Sequence, residues 1–335
     1  MKIEENVSLA KLTTMQIGGF AKFVLTCETR EDIRDAVKLA KDKNLPWFVL
    51  GGGSNVISSG DFNGAVILNR IKGFREVNDV AFQIGAGEIT DDIIAKLCAK
   101  SLSGVECLSL IPGRIGGLPV QNVGAYGQEI SQTLTELTVF DIRDNSFKTL
   151  TNTECQFAYR DSIFKSQTGR HYIICDITLQ LSQTFLTLPL YPALENYFRE
   201  HQITDFSPMT IREAVIAIRN SKLPPVATIP SAGSFFKNPI VDEKVAKKLL
   251  EKFPSAPHWP MENSREKLAA GWLVDQAGLK SFAKYGFQIY PQNALVITNI
   301  AKDNSAENLA KFKSEIVAKV REKFSVELEQ EPESL

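Results

Sequence analysis

Three glycine-dense loops, each directly after an apolar run, constrain this chain more than any other feature. They occupy residues 50–55 (LGGGSN), 84–87 (IGAG) and 111–117 (IPGRIGG). A fourth glycine-rich site, the pair Gly18-Gly19, lies near the N-terminus. Glycine permits positive φ and close backbone approach, so such loops can direct successive N–H groups at phosphate oxygens. Each loop could equally be an ordinary turn, because turns are the commonest location of glycine.

The standard nucleotide fingerprints are absent from these loops. In the first loop, Val56 stands at the position of the third glycine of a GxGxxG motif. In the second loop, Thr90 stands at that position. No Gly-Lys-Ser/Thr triplet exists in the sequence, which excludes a Walker-type loop. A dinucleotide held by these loops would therefore be bound outside a Rossmann fold.

A low-charge stretch at residues 119–129 (PVQNVGAYGQE) combines amide side chains, small residues and an aromatic ring. Asn and Gln amides can bind the edge of a heterocycle, and glycine lets a ring system lie against the backbone. A mobile surface loop is the alternative, but the low charge of the stretch disfavours it.

Composition excludes several classes of protein. Of the 335 residues, 44% are hydrophobic and 23% charged, so the chain can bury a substantial core. The formal net charge of −1 argues against a dedicated nucleic-acid binder, which usually has a basic excess. Three scattered histidines and five cysteines without a CxxC pair predict no metal site and no disulfide scaffold. The chemistry is therefore expected from a bound organic cofactor.

The expected location is the cytoplasm. The charged first residues, MKIEE, lack the apolar stretch of a signal peptide, and no apolar run reaches the roughly 18 residues that a membrane helix needs. Unpaired cysteines fit a reducing compartment. No membrane partner is expected.

Hydrophobic periodicity predicts alternating strands and helices in the first half, a pattern typical of α/β or α+β folds. Strands are expected at residues 23–25, 47–50, 66–68 and 82–84, and helices at 31–43 and 91–100. A hairpin is expected from strands at 137–142 and 147–150, followed by a long strand at 171–181.

The second half predicts a separate α+β lobe. Six prolines between residues 189 and 230 indicate a loop-rich middle with a domain boundary near 205–225. Helices are then expected at 242–253, 266–276 and 306–324, and strands at 294–298 and 326–329.

Taken together and in order, these segments resemble the UDP-N-acetylenolpyruvoylglucosamine reductase family over essentially the whole chain. The resemblance lies in TTMQIGG at residues 13–19, LGGGSN at 50–55, the stretch from IPG at 111–113 to GAYG at 124–127, YRDS at 159–162, SAGSFFKNP at 231–239 and AAGWL at 269–273. Each motif alone is weak, whereas the ordered set is highly specific.

The resemblance implies an α+β fold. FAD would lie between two subdomains, as in flavoproteins of the vanillyl-alcohol-oxidase/PCMH type, and a further α+β domain would bind substrate. We accordingly divide the chain into an FAD-binding subdomain at residues 1–70, a second at 71–210 that includes the tyrosine-loop insert of the family's longer subtype, and a C-terminal substrate-binding domain at 211–335.

The resemblance also implies the reaction. NADPH would reduce non-covalently bound FAD, and the flavin would pass hydride to the enolpyruvyl methylene carbon of UDP-N-acetyl-3-O-(1-carboxyvinyl)-glucosamine, giving UDP-N-acetylmuramate for peptidoglycan precursor synthesis. The expected partners are this UDP-sugar and NADPH, with no nucleic acid, and the expected state is a monomer.

Three catalytic residues follow from the family's motifs. Arg160 would clamp the substrate carboxylate, where charge develops on hydride addition, and Ser234 would protonate the enolate carbon. The third is a glutamate near the C-terminus, with Glu331 matching the motif and Glu329 as the alternative register. Without the family, Arg160 would be a solvated charge beside Asp161, Ser234 a turn or cap serine, and the glutamates an acidic tail.

The resemblance also implies which residues bind FAD and the substrate, from their positions in the matching motifs. Those expected to bind FAD are Gly51, Gly52, Gly53, Ser54, Asn55, Gly113, Gly117, Gln121, Asn122, Gly124, Ala125 and Tyr126. Those expected to bind the UDP-sugar are Lys222, Asn238, Trp259 (where tyrosine is usual), Asn293 and a loop tyrosine, either Tyr191 or Tyr197. Arg114 replaces a small hydroxyl residue usual in the family, and either adds a cation near the flavin pyrophosphate or faces water.

Two other functions fit parts of the pattern. A different FAD-dependent oxidase or dehydrogenase of the same fold would use O₂ or another acceptor. A non-catalytic nucleotide-sugar-binding protein would stay colourless when incubated with FAD.

Overall fold

The computed structural model describes residues 1–225, 227–301 and 304–335. Its strands are, in chain order, β1 (Lys2–Ser8), β2 (Phe20–Cys27), β3 (Trp47–Leu50), β4 (Val56–Ile57), β5 (Phe62–Asn69), β6 (Phe74–Asn78), β7 (Ala81–Gly85), β8 (Gly124–Ala125), β9 (Gln128–Glu129), β10 (Leu134–Asp141), β11 (Ser146–Thr151), β12 (Tyr172–Gln180), β13 (Ser231–Ser234), β14 (Ile240–Asp242), β15 (His258–Met261), β16 (Arg265–Leu268), β17 (Ala283–Lys284), β18 (Phe287–Ile289), β19 (Val296–Asn299) and β20 (Glu333–Ser334). Its helices are α1 (Arg30–Asp42), α2 (Thr90–Ala99), α3 (Pro192–Glu200), α4 (Pro208–Lys222), α5 (Glu243–Lys252), α6 (Ala270–Val274), continued by a π-helical turn (Asp275–Leu279), and α7 (Ala306–Phe324).

The chain divides into two compact units, each built from several segments. The first unit comprises Met1–Val7, Ala21–Gly53 and Phe62–Ser221. The second comprises Ser8–Phe20, Ser54–Asp61 and Lys222–Leu335. Two short N-terminal segments therefore belong to the same unit as the C-terminal third of the chain. The three-part division made from the sequence stays a prediction.

A four-stranded sheet in the first unit has the order β1-β2-β5-β3, and both β2 and β3 pair parallel with β5. Helix α1 joins β2 to β3 and buries Ile33 and Val37 against this sheet. It begins at a capping box, in which Thr29 accepts the Asp32 N–H and the Asp32 carboxylate accepts the Thr29 N–H. The helix expected at residues 31–43 is thus confirmed.

A five-stranded antiparallel sheet forms the rest of the first unit's framework, with the order β11-β10-β12-β7-β6. Helix α2 packs Ile93 and Leu97 into the same core as Phe82 and Ile84 of β7. Strands β10 and β11 form the expected hairpin, and β12 is the expected long strand.

The middle of the chain differs from the loop-rich prediction because it forms α3 and α4. Pro192 occupies the first turn of α3, and Pro208 is the first residue of α4. Proline is favoured at a helix start, where its missing N–H leaves no hydrogen bond unmade. Leu194 and Ile211 then bury one face of each helix in a shared core. These two prolines therefore mark helix starts rather than loops.

The second unit contains a four-stranded sheet, β13-β19-β18-β17, and a three-stranded sheet, β14-β16-β15. Its core includes Phe235, Phe236, Phe287 and Phe312. Helix α7 covers the residues expected for it; the Ser305 side chain accepts a backbone N–H at its start. Among the described residues, no helix is long and apolar enough to cross a membrane.

Two predictions for the second unit were wrong. Residues 265–268 form β16, which pairs with β14 on one side and β15 on the other, so sheet pairing overrides the helical pattern and α6 begins only at Ala270. Residues 326–329 form no strand. Gln330 makes a single bridge to Phe236, and the last short strand, β20, pairs parallel with β4.

Candidate active site

The first glycine loop follows β3 and packs against the loop at Gly113. A Cβ on Gly52 would lie 2.7 Å from the Gly113 Cα, so the two backbones approach as closely as only glycine allows. A Cβ built on Gly51 would meet only the Arg114 Cβ, at 3.8 Å, and one built on Gly117 would meet no described atom within 4 Å. The predicted FAD-binding glycines thus combine close packing with exposed backbone.

The same loop leads from the first unit into the second. Gly53, with a φ of 65°, is the last first-unit residue of the loop, and Ser54 and Asn55 belong to the second unit. There the Asn55 carbonyl accepts the Glu333 N–H at 2.9 Å, beside the pairing of β4 with β20. The predicted FAD loop is therefore divided between the units.

Arg70 contacts the first glycine loop, although no sequence motif indicates it. It follows β5, and its Nη1 donates to the carbonyl oxygens of Gly51 and Asn69, each at 2.9 Å. Strands β3 and β5 are parallel neighbours with Leu50 opposite Leu68, so the residues after both strands meet at one sheet edge. Assigning that parallel pair from the sequence would have located Arg70.

Asn122 orders the segment after the third glycine loop, with Gln121 directly before it at the end of a short 3₁₀ turn. The Asn122 Nδ2 donates to the Glu129 carboxylate at 2.7 Å and to the Ala158 carbonyl at 3.2 Å. Its Oδ1 accepts the Ser131 N–H at 3.2 Å. Because protein groups engage both ends of this amide, Asn122 shapes the loop rather than offering its side chain to a heterocycle.

Tyr126 lies at the tip of a tight hairpin made by β8 and β9. The turn residues Tyr126 and Gly127 have φ values of 48° and 89°, as a two-residue hairpin turn requires. In β8, a Cβ on Gly124 would lie 2.7 Å from the Glu129 side chain, and Ala125 pairs with Gln128. The hairpin holds Tyr126 half-buried, and burial raises the pKa of its hydroxyl.

The two candidate loop tyrosines have different surroundings. Tyr191 is 44% exposed and contacts the Tyr126 ring edge-on, with 5.7 Å between ring centroids. Tyr197 stacks on His201 with 4.0 Å between centroids and packs against the core shared by α3 and α4. Tyr191 is thus an exposed ring beside the hairpin of β8 and β9, whereas Tyr197 is engaged by the core.

Arg160 lies in a turn closed by two backbone hydrogen bonds between Ala158 and Asp161, at 3.1 and 3.2 Å. Its φ of 52° is in the left-handed region, which costs a non-glycine residue about 1–2 kcal/mol. The Arg160 Nη2 donates to the Gly124 carbonyl at 2.9 Å, and its guanidinium lies over the Tyr159 ring at 5.3 Å. The structure thus brings Arg160 to the predicted FAD-binding hairpin.

Ser234 ends β13, next to a bulge. Ser231 pairs with Thr298 and Ser234 with Val296, so the register shifts between the two pairs. Gly233, with a φ of 71°, supplies the left-handed backbone conformation there. Because a bulge bends a strand and redirects the side chain that follows, the half-buried Ser234 leaves the regular alternation of the sheet.

The C-terminal segment pairs with the residues that follow Ser234. The Glu331 N–H donates to the Phe235 carbonyl and the Lys237 N–H to the Glu329 carbonyl, both at 2.9 Å. The Glu329 side chain is 73% exposed, and its carboxylate pairs with Lys237 at 2.5 Å. Glu331 is half-buried and lies against the residue after Ser234. By this register, Glu331 rather than Glu329 is paired nearer to Ser234.

Lys222 and Trp259 are exposed in the second unit. Lys222 is the last residue of α4, and Trp259 lies on β15 with 40% of its surface exposed. The Lys267 Nζ lies 5.5 Å from the Trp259 ring centroid, which adds a cation to this surface. A cavity of about 500 Å³ opens elsewhere in the unit, around Tyr290 and Ile300, and no predicted substrate residue lines it.

Asn238 and Asn293 each use their carbonyl oxygen within the fold. The Asn238 Oδ1 accepts the Ala270 N–H at 2.9 Å, at the start of α6. The Asn293 Oδ1 accepts the Leu295 N–H at 3.0 Å, in the turn between β18 and β19. Each side chain is therefore held in one orientation by its acceptor end.

The cysteines offer no nucleophile. All five are buried and free of disulfides, and burial raises the pKa of Cys27, Cys98, Cys155 and Cys175 to about 12 and that of Cys107 as well. Such thiols stay protonated near neutral pH. Across the described ranges, no group of three or more His, Cys, Asp or Glu side chains is placed to hold a metal ion.

Two family descriptions match this chain. Residues 21–150 match the FAD binding domain. Residues 224–335 match the C-terminal domain of UDP-N-acetylenolpyruvoylglucosamine reductase. The fold class expected from the sequence, an FAD-binding fold joined to a C-terminal substrate-binding domain, is thereby confirmed.

Full-length relatives agree with these matches. Proteins named UDP-N-acetylenolpyruvoylglucosamine reductase are 37% identical in Neisseria meningitidis serogroup C (98% of this chain and 96% of the relative) and 35% identical in Pseudomonas aeruginosa (99% and 98%). The crystal structure of the Thermus caldophilus protein of that name superposes with a TM-score of 0.69 at 26% identity, covering 100% of this chain and 99% of that one.

Proposed function

Because this chain belongs to the UDP-N-acetylenolpyruvoylglucosamine reductase family, we propose that Arg160, Ser234 and Glu331 carry out its reaction. The enzyme uses FAD and NADPH to reduce UDP-N-acetyl-3-O-(1-carboxyvinyl)-glucosamine to UDP-N-acetylmuramate. The observation that carries the assignment is the 2.9 Å hydrogen bond from the Glu331 N–H to Phe235, which places Glu331 beside the residue after Ser234.

The first unit fits a flavin dinucleotide. Gly52 and Gly113 pack backbone to backbone while Gly51 and Gly117 leave open space, so a pyrophosphate can reach main-chain N–H groups. All four glycines lie within the matched FAD binding domain. When bound, FAD accepts hydride from NADPH and delivers it to the enolpyruvyl double bond.

Arg160 provides positive charge for the substrate carboxylate. Hydride addition to the methylene carbon moves an electron pair toward the carboxylate and gives an enolate-like intermediate. A guanidinium is permanently charged and binds both carboxylate oxygens, so it stabilises the charge as it develops. Its contact with Gly124 and its place over Tyr159 fix the Arg160 side chain before substrate arrives.

Ser234 supplies the proton that the enolate carbon needs. A serine hydroxyl is a poor acid in water, so it must act with a neighbouring group that stabilises its deprotonated form or returns the proton. We assign that second role to Glu331, on the segment hydrogen-bonded to Phe235. The bulge at Gly233 sets the direction of the Ser234 side chain.

Five residues are proposed to bind the UDP-sugar. Lys222 gives a cation for the UDP diphosphate, and the amide donors of Asn238 and Asn293 bind polar groups of the nucleotide-sugar. Trp259 stacks on uracil or ribose through its exposed ring. Tyr191 closes over the bound substrate.

We place the enzyme in the cytoplasm as a monomer. Its five cysteines are buried and unpaired, which fits a reducing compartment. Size-exclusion chromatography with light scattering would report a mass near 37.2 kDa for a monomer.

The direct test is product formation. Purified enzyme, NADPH and the enolpyruvyl nucleotide should give one UDP-N-acetylmuramate per NADPH oxidised, measured by absorbance and by the two-hydrogen mass gain of the nucleotide. Oxidation of NADPH only in the presence of O₂, with the nucleotide unchanged, would instead identify a flavin oxidase.

A further inference from the structure

We infer that Arg114 binds the pyrophosphate of FAD, on a backbone cradle that Arg70 helps to orient. The inference rests on the proposed function only in taking FAD as the ligand. It concerns a residue for which the sequence left two roles open, a cation near the flavin pyrophosphate or a side chain facing water.

The Arg114 side chain is held at one nitrogen and left without a partner at another. Its Nη1 donates to the Gly87 carbonyl at 2.6 Å, which anchors the guanidinium beside the loop. Its Nε is buried and has no hydrogen-bond partner among the described residues. A buried donor without an acceptor costs about 1–3 kcal/mol, so a ligand oxygen at this position would relieve that cost.

A second cation lies close by. Burial and the positive charge of Arg114 together lower the pKa of Arg70 to about 10. Burial likewise lowers the pKa of Arg114, and the nearby Glu88 partly opposes this. The Glu88 carboxylate is itself bound to Lys72 at 3.0 Å and to the Gly73 N–H at 2.9 Å.

The charge of this pair is only partly offset by the protein, through the nearby Glu88 carboxylate. Within the described ranges, no carboxylate forms an ion pair with Arg70 or Arg114. Two neighbouring guanidinium groups repel each other unless an anion lies between or beside them. A pyrophosphate diester, with two negative charges, has the required charge and accepts bidentate hydrogen bonds from arginine.

The surrounding backbone provides both space and donors. Arg70 binds the Gly51 carbonyl, and since carbonyl and N–H point in opposite directions across a peptide, the Gly52 N–H points away from Arg70. In the described chain, the N–H groups of Gly52, Gly113 and Arg114 donate no hydrogen bond to another residue. These three donors are therefore available to phosphate oxygens.

The FAD pyrophosphate is favoured over other phosphates by position. Arg70, Arg114 and the glycines of the cradle all fall within residues 21–150, the matched FAD binding domain. Free phosphate and the NADPH phosphate share the chemistry, so the test must separate them from FAD.

The test titrates flavin-free enzyme with FAD and follows quenching of flavin fluorescence. R114Q should weaken FAD binding about tenfold or more, and R114K should weaken it less because it keeps the charge. The affinity of R114Q should also fall less steeply with added salt. Riboflavin, which has no phosphate, should bind wild type and R114Q equally. R75Q, at an exposed arginine whose guanidinium donates to Gln83, should match wild type.

Equal FAD affinity in R114K and R114Q, or an equal loss of riboflavin binding in R114Q, would overturn the inference. Competition by millimolar inorganic phosphate or NADPH that is as effective as unlabelled FAD would also contradict it, because the site would then be a general phosphate site. Failure of the wild-type protein to bind FAD would contradict the proposed function instead.

Discussion

At the scale of single residues, the proposed chemistry depends on proton supply from Ser234. The Ser234→Ala variant should leave flavin reduction by NADPH within about twofold of wild type, because that step needs no proton from the chain. Flavin reoxidation by the enolpyruvyl nucleotide should slow by at least about a hundredfold, the scale of general-acid contributions. Anaerobic stopped-flow absorbance separates the two steps. An equal loss in both would show a binding or folding defect and refute the assignment.

The register of the C-terminal segment gives a matched pair of variants. Glu331→Gln should slow flavin reoxidation strongly, whereas Glu329→Gln should change it less than about threefold because the Glu329 carboxylate is exposed and paired with Lys237. The same stopped-flow experiment measures both. A larger effect in Glu329→Gln would move the catalytic position to Glu329.

Site residues differ in how far the sequence could place them. Arg160, Ser234 and Glu331 carry motifs and were expected by position, but nothing in the sequence showed that the Asn122 amide would be engaged by Glu129 and Ala158. That engagement depends on contacts between residues distant in the chain. Arg70 likewise carries no motif. Its contact with Gly51 could be predicted only if β3 and β5 were known to be parallel neighbours.

At the scale of elements, the hairpin of β10 and β11 contains a buried charge that stabilises it. Asp141 is fully buried and accepts hydrogen bonds from Arg143 at 3.1 Å and Lys148 at 2.7 Å. Burial alone would raise the pKa of Asp141, but these bonds outweigh it and hold the pKa well below its usual range. The carboxylate is therefore ionised in the folded protein at all ordinary pH values.

The buried Asp141 carboxylate predicts a change of stability with pH. The Asp141 contribution is complete above the unfolded pKa of about 3.9 and is lost as pH falls below it toward the lower folded value. Asp141→Asn should lower the free energy of unfolding by about 2 kcal/mol at neutral pH and flatten its acid dependence. Denaturant melts measure both effects, with the exposed neighbour Asp144→Asn as a control expected within about 0.5 kcal/mol. An Asp141→Asn protein as stable as the control would contradict the assignment.

Element prediction succeeded where local signals and packing agree. Helix α7 spans the residues that its period indicated, because its buried positions repeat along one face. The sequence-based prediction of elements failed where tertiary pairing decided the outcome, as at β16. It also failed where proline begins a helix, as at Pro192. Both failures concern segments whose neighbours come from elsewhere in the chain.

At the scale of the whole molecule, the chain forms two units, each assembled from segments that are distant in the sequence. Arg160 and the hairpin of β8 and β9 belong to the first unit, and Ser234, Glu331 and Lys222 belong to the second. The sequence indicated a boundary between residues 205 and 225, but it could not show that the segments Ser8–Phe20 and Ser54–Asp61 join the C-terminal unit. Such discontinuous units arise from long-range packing, which no local pattern records.

Following the flavin through one turnover without oxygen tests the proposed reaction most directly. NADPH should bleach the oxidised-flavin absorption of the purified enzyme, and the enolpyruvyl nucleotide should restore it within the same anaerobic cell while UDP-N-acetylmuramate accumulates. A flavin that stays reduced with the nucleotide present and reoxidises only when O₂ is admitted would contradict the central claim.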